Sequence, residues 1–259
     1  MPSHSLQSQF TVLYNQGKTC REIELTLGIS NRQRRKLSVG LNTRRKNRYL
    51  VNSKALDVID TPAKAYVLGL MAADGCVTKV NQIILQCNDA DIVKFVATTL
   101  EYTGEVREVV REKYDSGYRI NFSDKGLADR FRSYGIVENK SRIFQNQYHG
   151  QFYNSFLLGY LDGDGCVYKN PGRNGGLVSI IGSQHFCEEV RSKLNCGSVS
   201  IHNKSSMYYW RVFGRKDFLF LKDFLYKDLC ILNRKYNKLV ELCNYENSQK
   251  RVPKTTICL

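Results

Sequence analysis

The chain repeats itself. Leu68-Gly-Leu-Met-Ala-Ala-Asp-Gly75 returns as Leu158-Gly-Tyr-Leu-Asp-Gly-Asp-Gly165, and Cys-Val follows each copy. The two aspartates, Asp74 and Asp164, stand 90 positions apart. Weaker echoes keep nearly the same interval: Leu100 and Gly104 with Leu194 and Gly197, and Gly135-Ile-Val-Glu-Asn-Lys140 with Cys230-Ile-Leu-Asn-Arg-Lys235. Most of the drift is taken up by the loop Asn170–Gly176. Solenoid repeats run to about 20–50 residues, so a unit this long reads as a whole domain copied in tandem. Two such copies are expected to pack about a pseudo-twofold axis.

Each copy carries the same order of patterns. A helix ends at the Asp-Gly. Strands Val77–Val80 and Gln82–Cys87 follow, then a helix Ala90–Tyr102, strands Glu105–Glu112 and Gly117–Phe122, and a helix Lys125–Tyr134. The second copy matches with Val167–Asn170, Leu177–Ile181, Phe186–Leu194, Ser198–Asn203, Met207–Phe213 and Lys216–Tyr226, and a basic segment closes each copy. The expected fold class is therefore α+β, two αββαββα copies with a small all-α segment before them.

That segment is strongly basic. Residues 1–48 hold ten Lys/Arg and two Glu, which is +8 of the chain's +15. Phe10, Leu13 and Tyr14 have helical spacing, Thr19 can cap a helix through Ile23 and Leu27, Gly28 stops it, and Ser30 can cap a third helix to Leu37. Residues 14–30 resemble a helix-turn-helix module, with Asn31–Leu37 as the helix offered to a major groove. The expected organisation is a DNA-binding segment 1–42, a basic linker 43–55, and the two copies at 56–150 and 151–259.

The net charge and a pI near 9.4 point to a polyanionic partner. Nucleic acid comes first and an anionic membrane is the weak second, because no stretch approaches about 20 apolar residues and no basic helix carries a large apolar face. Nine cysteines, odd in number and without a C-x-x-C pair, argue against zinc and against a disulfide framework. The polar opening Met1–Gln9 carries no signal peptide. An intracellular, non-secreted protein is expected: cytoplasm, organelle matrix or virus-infected cell.

The chemistry centres on the repeated Asp-Gly. Thr61-Pro62 starts a helix that carries Gly69 and Ala73 four apart, and the second copy has Gly159 and Gly163. Small residues at that spacing let two helix backbones touch, which would bring Asp74 and Asp164 side by side. Two carboxylates at negative helix ends repel each other and the dipole. A divalent cation relieves both penalties, and hard oxygen ligands favour Mg²⁺, with Mn²⁺ able to substitute.

Residues 67–75 and 157–165 resemble the two signature motifs of the LAGLIDADG homing endonucleases in their single-chain form, and the resemblance spans roughly residues 56–245. It implies a monomer that cuts both strands of a long asymmetric DNA site across the minor groove and leaves short 3′ overhangs. It implies metal held by Asp74 and Asp164 with the carbonyls of Ala73 and Gly163. Ala72 departs from the pattern where Asp162 keeps an earlier acid of structural role. Lys140 and Lys235 resemble the basic residues that reach the cleavage centre, and Asp89 and Gln184 occupy a position near the attacking water. DNA contacts are expected from Arg32, Arg34, Arg35, Arg44 and Arg45 in the basic segment. From the strands and their loops they are expected from Lys79, Asn81, Arg107, Arg111, Lys113, Arg119, Lys169, Arg173, His202, Lys204 and Arg211. His185 is expected to be structural or polar surface. The alternatives are an RNA-splicing maturase, for which intron RNA is a partner, and a DNA-binding protein on the same scaffold that does not cleave.

Overall fold

The computed structural model describes residues 5–16, 18–39, 49–111, 114–170, 175–203 and 205–244. The chain divides into two compact units, Met1–Arg48 and Tyr49–Leu259.

The first unit is three short helices, α1 (Leu6–Asn15), α2 (Cys20–Leu27) and α3 (Asn31–Leu37). Their ends are set by the expected residues. Thr19 and Glu22 form a capping box at α2, Ser30 and Gln33 another at α3, and Gly28 takes the left-handed conformation between them at φ +63°. The core is small: Phe10, Ile23 and Ile29, with Leu13, Tyr14, Leu27 and Leu37 packed on it.

The second unit contains both copies. The first runs α4 (Pro62–Ala73), β1 (Cys76–Val77), β2 (Gln82–Cys87), α5 (Ala90–Thr99), β3 (Arg107–Arg111), β4 (Tyr114–Ser123) and α6 (Lys125–Ser133). A short 3-10 turn, Lys140–Arg142, follows. The second runs α7 (Tyr153–Asp164), β5 (Gly165–Lys169), β6 (Gly176–Gly182), α8 (Gln184–Leu194), β7 (Ser198–Ile201), β8 (Tyr208–Val212) and α9 (Arg215–Leu225). The two antiparallel sheets have the same order, β1-β2-β4-β3 and β5-β6-β8-β7. One continuous hydrophobic core serves both copies. It takes Ile83, Leu85, Ile120 and Phe122 from one sheet and Val178, Ile180, Trp210 and Val212 from the other.

Helices α4 and α7 are buried over nearly their whole length, and they touch backbone to backbone. A Cβ on Gly69 would strike the Phe156 carbonyl, and one on Gly159 would strike the Tyr66 carbonyl. Glycine is therefore required at the crossing. Thr61 caps α4 through the Lys64 N–H, with Pro62 opening the helix.

Several elements differ from expectation: β4 starts early, at Tyr114, β3 is shorter at both ends, β7 stops at Ile201, and three others have a physical reason on view. β1 stops at Val77, because Thr78 and Asn81 (φ +63°) form a turn that leaves Val80 exposed. α5 stops at Thr99, short of Tyr102, where Glu101 turns left-handed at φ +53°. The closing basic segment of the second copy is a helix, α10 (Asn233–Cys243), whose buried face is Lys235, Leu239, Leu242 and Cys243. A buried lysine in that stripe hides its apolar period from the sequence.

Candidate active site

The crossing of α4 and α7 delivers the aspartates. Asp74 caps the C-terminus of α4, and Asp164 is the last residue of α7. A Cβ on Gly163 would lie 2.5 Å from the Ala73 side chain and 3.2 Å from Asp74 Oδ2. Asp74 therefore rests against the end of the opposite helix. The residue is exposed, yet the end of α7 crowds its carboxylate. Loss of water there, followed by the charge of Asp164, pushes its pKa up to about 6. Asp164 is raised as well, chiefly by burial, with Lys140 and Lys235 pulling it down.

The two lysines lie beneath the carboxylates, each only 5% exposed. Among the described residues neither pairs with an acid. Lys140 Nζ donates to the carbonyls of Ala73 (2.9 Å) and Gly75 (2.5 Å). Lys235 Nζ donates to the carbonyls of Leu161 (2.6 Å), Asp162 (2.9 Å) and Gly165 (2.7 Å). They act as cationic caps on the ends of α4 and α7, adding a donor to carbonyls of the last turn and of the glycine just beyond it. Burial pushes both ammonium groups below the usual lysine range, and nearby acids, Asp164 for Lys140 and Asp162 for Lys235, oppose that shift. The pattern is not symmetric: the Ala73 carbonyl is held by a lysine, whereas the lysine of the second copy reaches the carbonyls on either side of Gly163.

Asp162 is buried. Its Oδ2 accepts from the Tyr66 hydroxyl at 2.8 Å, while its Oδ1 has no hydrogen-bond partner. Burial pushes its pKa up to about 6, against the Tyr66 hydrogen bond and the Lys235 charge.

Asp89 and Gln184 lie at the starts of α5 and α8. Asp89 makes no side-chain cap. Its carboxylate takes a two-pronged ion pair from Arg234, at 2.7 and 3.2 Å, and so links the first copy to α10 of the second. Gln184 and His185 are exposed beside Ser183, which caps α8 and donates its hydroxyl to the Phe144 carbonyl.

Arg119 is half-buried on β4, and the other expected DNA contacts divide into three groups. Arg32 and Arg35 are exposed on α3, Lys79 is exposed in the β1–β2 turn, and Arg107 is exposed beside Glu105. Others are engaged within the fold. Arg34 turns inward to Glu24 at 2.6 Å, Asn81 accepts from Arg132 at 2.9 Å, Lys169 pairs with Glu241 at 2.9 Å, and His202 bonds Ser205. Arg211 lies over the Tyr209 ring at 4.0 Å. Arg44, Arg45, Lys113, Arg173 and Lys204 lie outside the described residues, as does the side chain of Arg111.

Gln86 escaped the sequence reading. It lies on β2, on the outward face opposite buried Leu85, two residues beyond Ile84, which pairs with Cys76 just after the Asp74-Gly75 end of α4. The alternation Gln82-Ile-Ile-Leu-Gln86 carried the signal, but Ile84 on the polar face obscured it.

Among the described residues no three His, Cys, Asp or Glu side chains come together as a ready metal cage. Two carboxylates with main-chain oxygens fit an ion that keeps several of its ligands as water or phosphate, as Mg²⁺ does.

Touching helices that end in paired acids, each followed by a four-stranded antiparallel sheet, define a class: this is the fold of the LAGLIDADG homing endonucleases. Within that class the chain is similar to I-SmaMI bound to uncleaved DNA target in the presence of calcium ions. That likeness has 14% sequence identity and a TM-score of 0.51, over 71% of this chain and 89% of that one. It is similar also to the meganuclease I-SmaMI bound to uncleaveable DNA with a TTCT central four, at 14% identity and a TM-score of 0.50 over the same shares. No family profile and no curated protein matches the sequence.

Proposed function

We propose that the chain is a site-specific, divalent-metal-dependent endonuclease that hydrolyses one phosphodiester in each strand of a DNA duplex. The observation that carries this reading is the pair Asp74 and Asp164, held together at the ends of touching helices with both pKa values raised. A fold has no reason to build such repulsion unless a cation joins it. The fold neighbour I-SmaMI, described bound to a DNA target with calcium ions, supports a duplex as substrate and a divalent ion as cofactor.

In this reading Asp74 and Asp164 hold Mg²⁺, or Mn²⁺ in its place, with help from the Ala73 and Gly163 carbonyls. The bound ion lowers the pKa of its water and neutralises phosphate charge. Lys140 and Lys235 fix the helix ends that carry the acids and keep positive charge beneath the reacting phosphates. Gln184 borders the centre from the second copy, and Asp89 acts from the first through Arg234. The outward faces of the two sheets, with Arg107 and Arg211 among their residues, lie along the major groove on either side of the cut. The acids then meet the minor groove between, and cutting there leaves short 3′ overhangs. The basic segment 1–42 adds a helix-turn-helix contact through Arg32 and Arg35 and lengthens an asymmetric target, which a monomer reads alone.

The test is incubation of the full chain with a randomised duplex library and Mg²⁺, followed by sequencing of the ends. Recurrent staggered ends at one motif are expected. A duplex that the protein selects and binds, yet leaves uncut in both Mg²⁺ and Mn²⁺, would overturn the reading and leave a non-cleaving DNA-binding protein.

A further inference from the structure

The two copies differ in what covers one groove. In the first copy the groove lies between the start of α4, the end of α5 and the side of α6, and residues 50–58 fill it. The Asn52 N–H donates to the Leu100 carbonyl at 3.0 Å, and the Asn52 amide donates to Glu101 at 2.9 Å. Ser53 bonds Asp124 at the start of α6, and Asp57 pairs with Arg130 of α6 at 2.9 Å. Lys64 of α4 donates to the Val58 carbonyl at 3.3 Å. Ala55 and Leu56 sink into the core.

The second copy has the same groove, uncovered among the described residues. Sheet register sets the correspondence. Phe122 faces Ile83 as Val212 faces Val178, and α6 and α9 each begin three residues later. Arg130 and Tyr134 therefore correspond to Phe220 and Phe224. Phe220 is 43% exposed where Arg130 meets its acid, and it stacks on Phe224 at 5.8 Å. Leu219 beside it is 37% exposed. A cavity of about 360 Å³ opens there, lined in part by Asn154, Leu194, Phe224 and Lys227. Asn154 and Leu194 occupy the places of Lys64 and Leu100. An apolar patch next to a cavity marks a surface that something covers.

Helix α10 is not that cover. It meets α9 through Tyr236 on Tyr226, ring centroids 4.9 Å apart, and through the Cys243 carbonyl, which accepts from Arg215 Nε at 2.7 Å. At about 100° per residue, Phe220 and Phe224 lie on the far side of α9 from Arg215 and Tyr226. The contact at Arg215 does fix where the chain goes next: residues 245–259 continue from the first residue of α9. The cover of the first copy enters at the same end, where the Tyr49 hydroxyl bonds both backbone groups of Ser123, just before α6. Fifteen residues reach about 50 Å when extended, against roughly 17 Å for the length of α9. Their sequence echoes the first cover: Tyr245-Glu-Asn-Ser248 against Tyr49-Leu-Val-Asn-Ser53, each with an aliphatic residue soon after, Val252 and Leu56. We propose that residues 245–259 strap the second copy, laying Val252 and Ile257 over Phe220 and Phe224 and into the cavity, as residues 50–58 strap the first. The strap holds whether or not the chain cuts DNA.

The experiment uses the full chain. Phe220→p-benzoylphenylalanine is irradiated, and the captured peptide is identified by mass after trypsin digestion. A cross-link within one chain, from α9 to a peptide of 252–259, is expected. Hydrogen exchange is then compared between the wild type and the double variant Val252→Asp with Ile257→Asp. Amides of residues 193–194 and 220–227 are expected to exchange at least about tenfold faster in the variant, while those of α4 and α5 keep their rates. Should the double variant fail to fold, the cross-link alone decides. A covalent dimer would assign the patch to contact between two copies and overturn the strap. Capture of no peptide from 245–259, or exchange at 220–227 unchanged in a folded variant, would overturn it too.

Discussion

Two ammonium groups and two carboxylates meet under the ends of α4 and α7, yet they do not pair. Lys140 and Lys235 go to carbonyls, and Asp74 and Asp164 are left with raised pKa values. That division has separable consequences. Replacing Lys140 by Met leaves the carbonyls of Ala73 and Gly75 buried without donors, at about 1–3 kcal/mol. Its melting temperature should fall well below that of the same change at exposed Lys79. The acids behave in the opposite way. A carboxylate whose folded pKa is raised from 3.8 to about 6, as for Asp74, favours the protonated form in the folded state. Its stabilisation by the proton is complete below the unfolded value and is lost as pH rises through about 6. Metal-free protein should therefore gain stability as pH is lowered from about 8 to about 5, until general acid effects intervene. Asp74→Asn should flatten that gain, melt higher than the wild type at about pH 8, and cut DNA at least about 100-fold more slowly. A melting temperature that dropped in Asp74→Asn would contradict the repulsion on which the proposed metal site rests.

At the scale of elements, the repeated helix was legible because its constraint is severe. Only small residues fit where Gly69 and Gly159 cross, so the motif survives in both copies and sets its own register. Caps were legible for the same local reason: Thr19, Ser30 and Thr61 each bond an N–H three residues on. Long-range partners were not legible. Nothing local marks Asp89 as the partner of Arg234, or Lys235 as a cap on α7, because those bonds join residues far apart in the chain. The Tyr66–Asp162 bond is another case. Its pseudo-twofold counterpart is Phe156 with Ala72, so one side of the crossing is polar and the other apolar. Tyr66→Phe alone strands Asp162 with both oxygens unbonded, and should cost about 1–3 kcal/mol. The double change Tyr66→Phe with Asp162→Ala copies the apolar side and should recover most of that loss. Denaturant midpoints of the single and double variants measure the difference, and a double variant no better than the single would assign the polar pair a stabilising role. Gly159→Ala has no such remedy, since its Cβ meets the Tyr66 carbonyl and the Leu70 N–H. Large destabilisation, several kcal/mol, is expected there, with loss of cleavage following from separation of the acids.

The whole molecule combines a unit that holds both copies, and with them the proposed centre, with a basic unit of separate core. Residues 1–48 carry +8 of the +15, yet their hydrophobic cluster is only Phe10, Ile23 and Ile29 with a few partners. Stability and cleavage should therefore reside in residues 49–259, and affinity should be shared between the units. Charge on α3 is not all available for DNA. Arg34 is held by Glu24, which leaves Arg32, Arg35 and Lys36 on the exposed side. A chain beginning at Tyr49 should keep the unfolding midpoint of the catalytic unit and cut a saturating duplex at the full-length rate. Its affinity should fall, and the slope of log affinity against log salt should become shallower by about 0.9 for each phosphate contact removed. Arg32→Gln with Arg35→Gln should reproduce part of that change, while Arg34→Gln should instead lower the melting temperature of the appendage. If the truncated chain bound with an unaltered salt slope, the first 48 residues would be no part of the DNA interface. The target read by the protein would then be only as long as the two sheets can span.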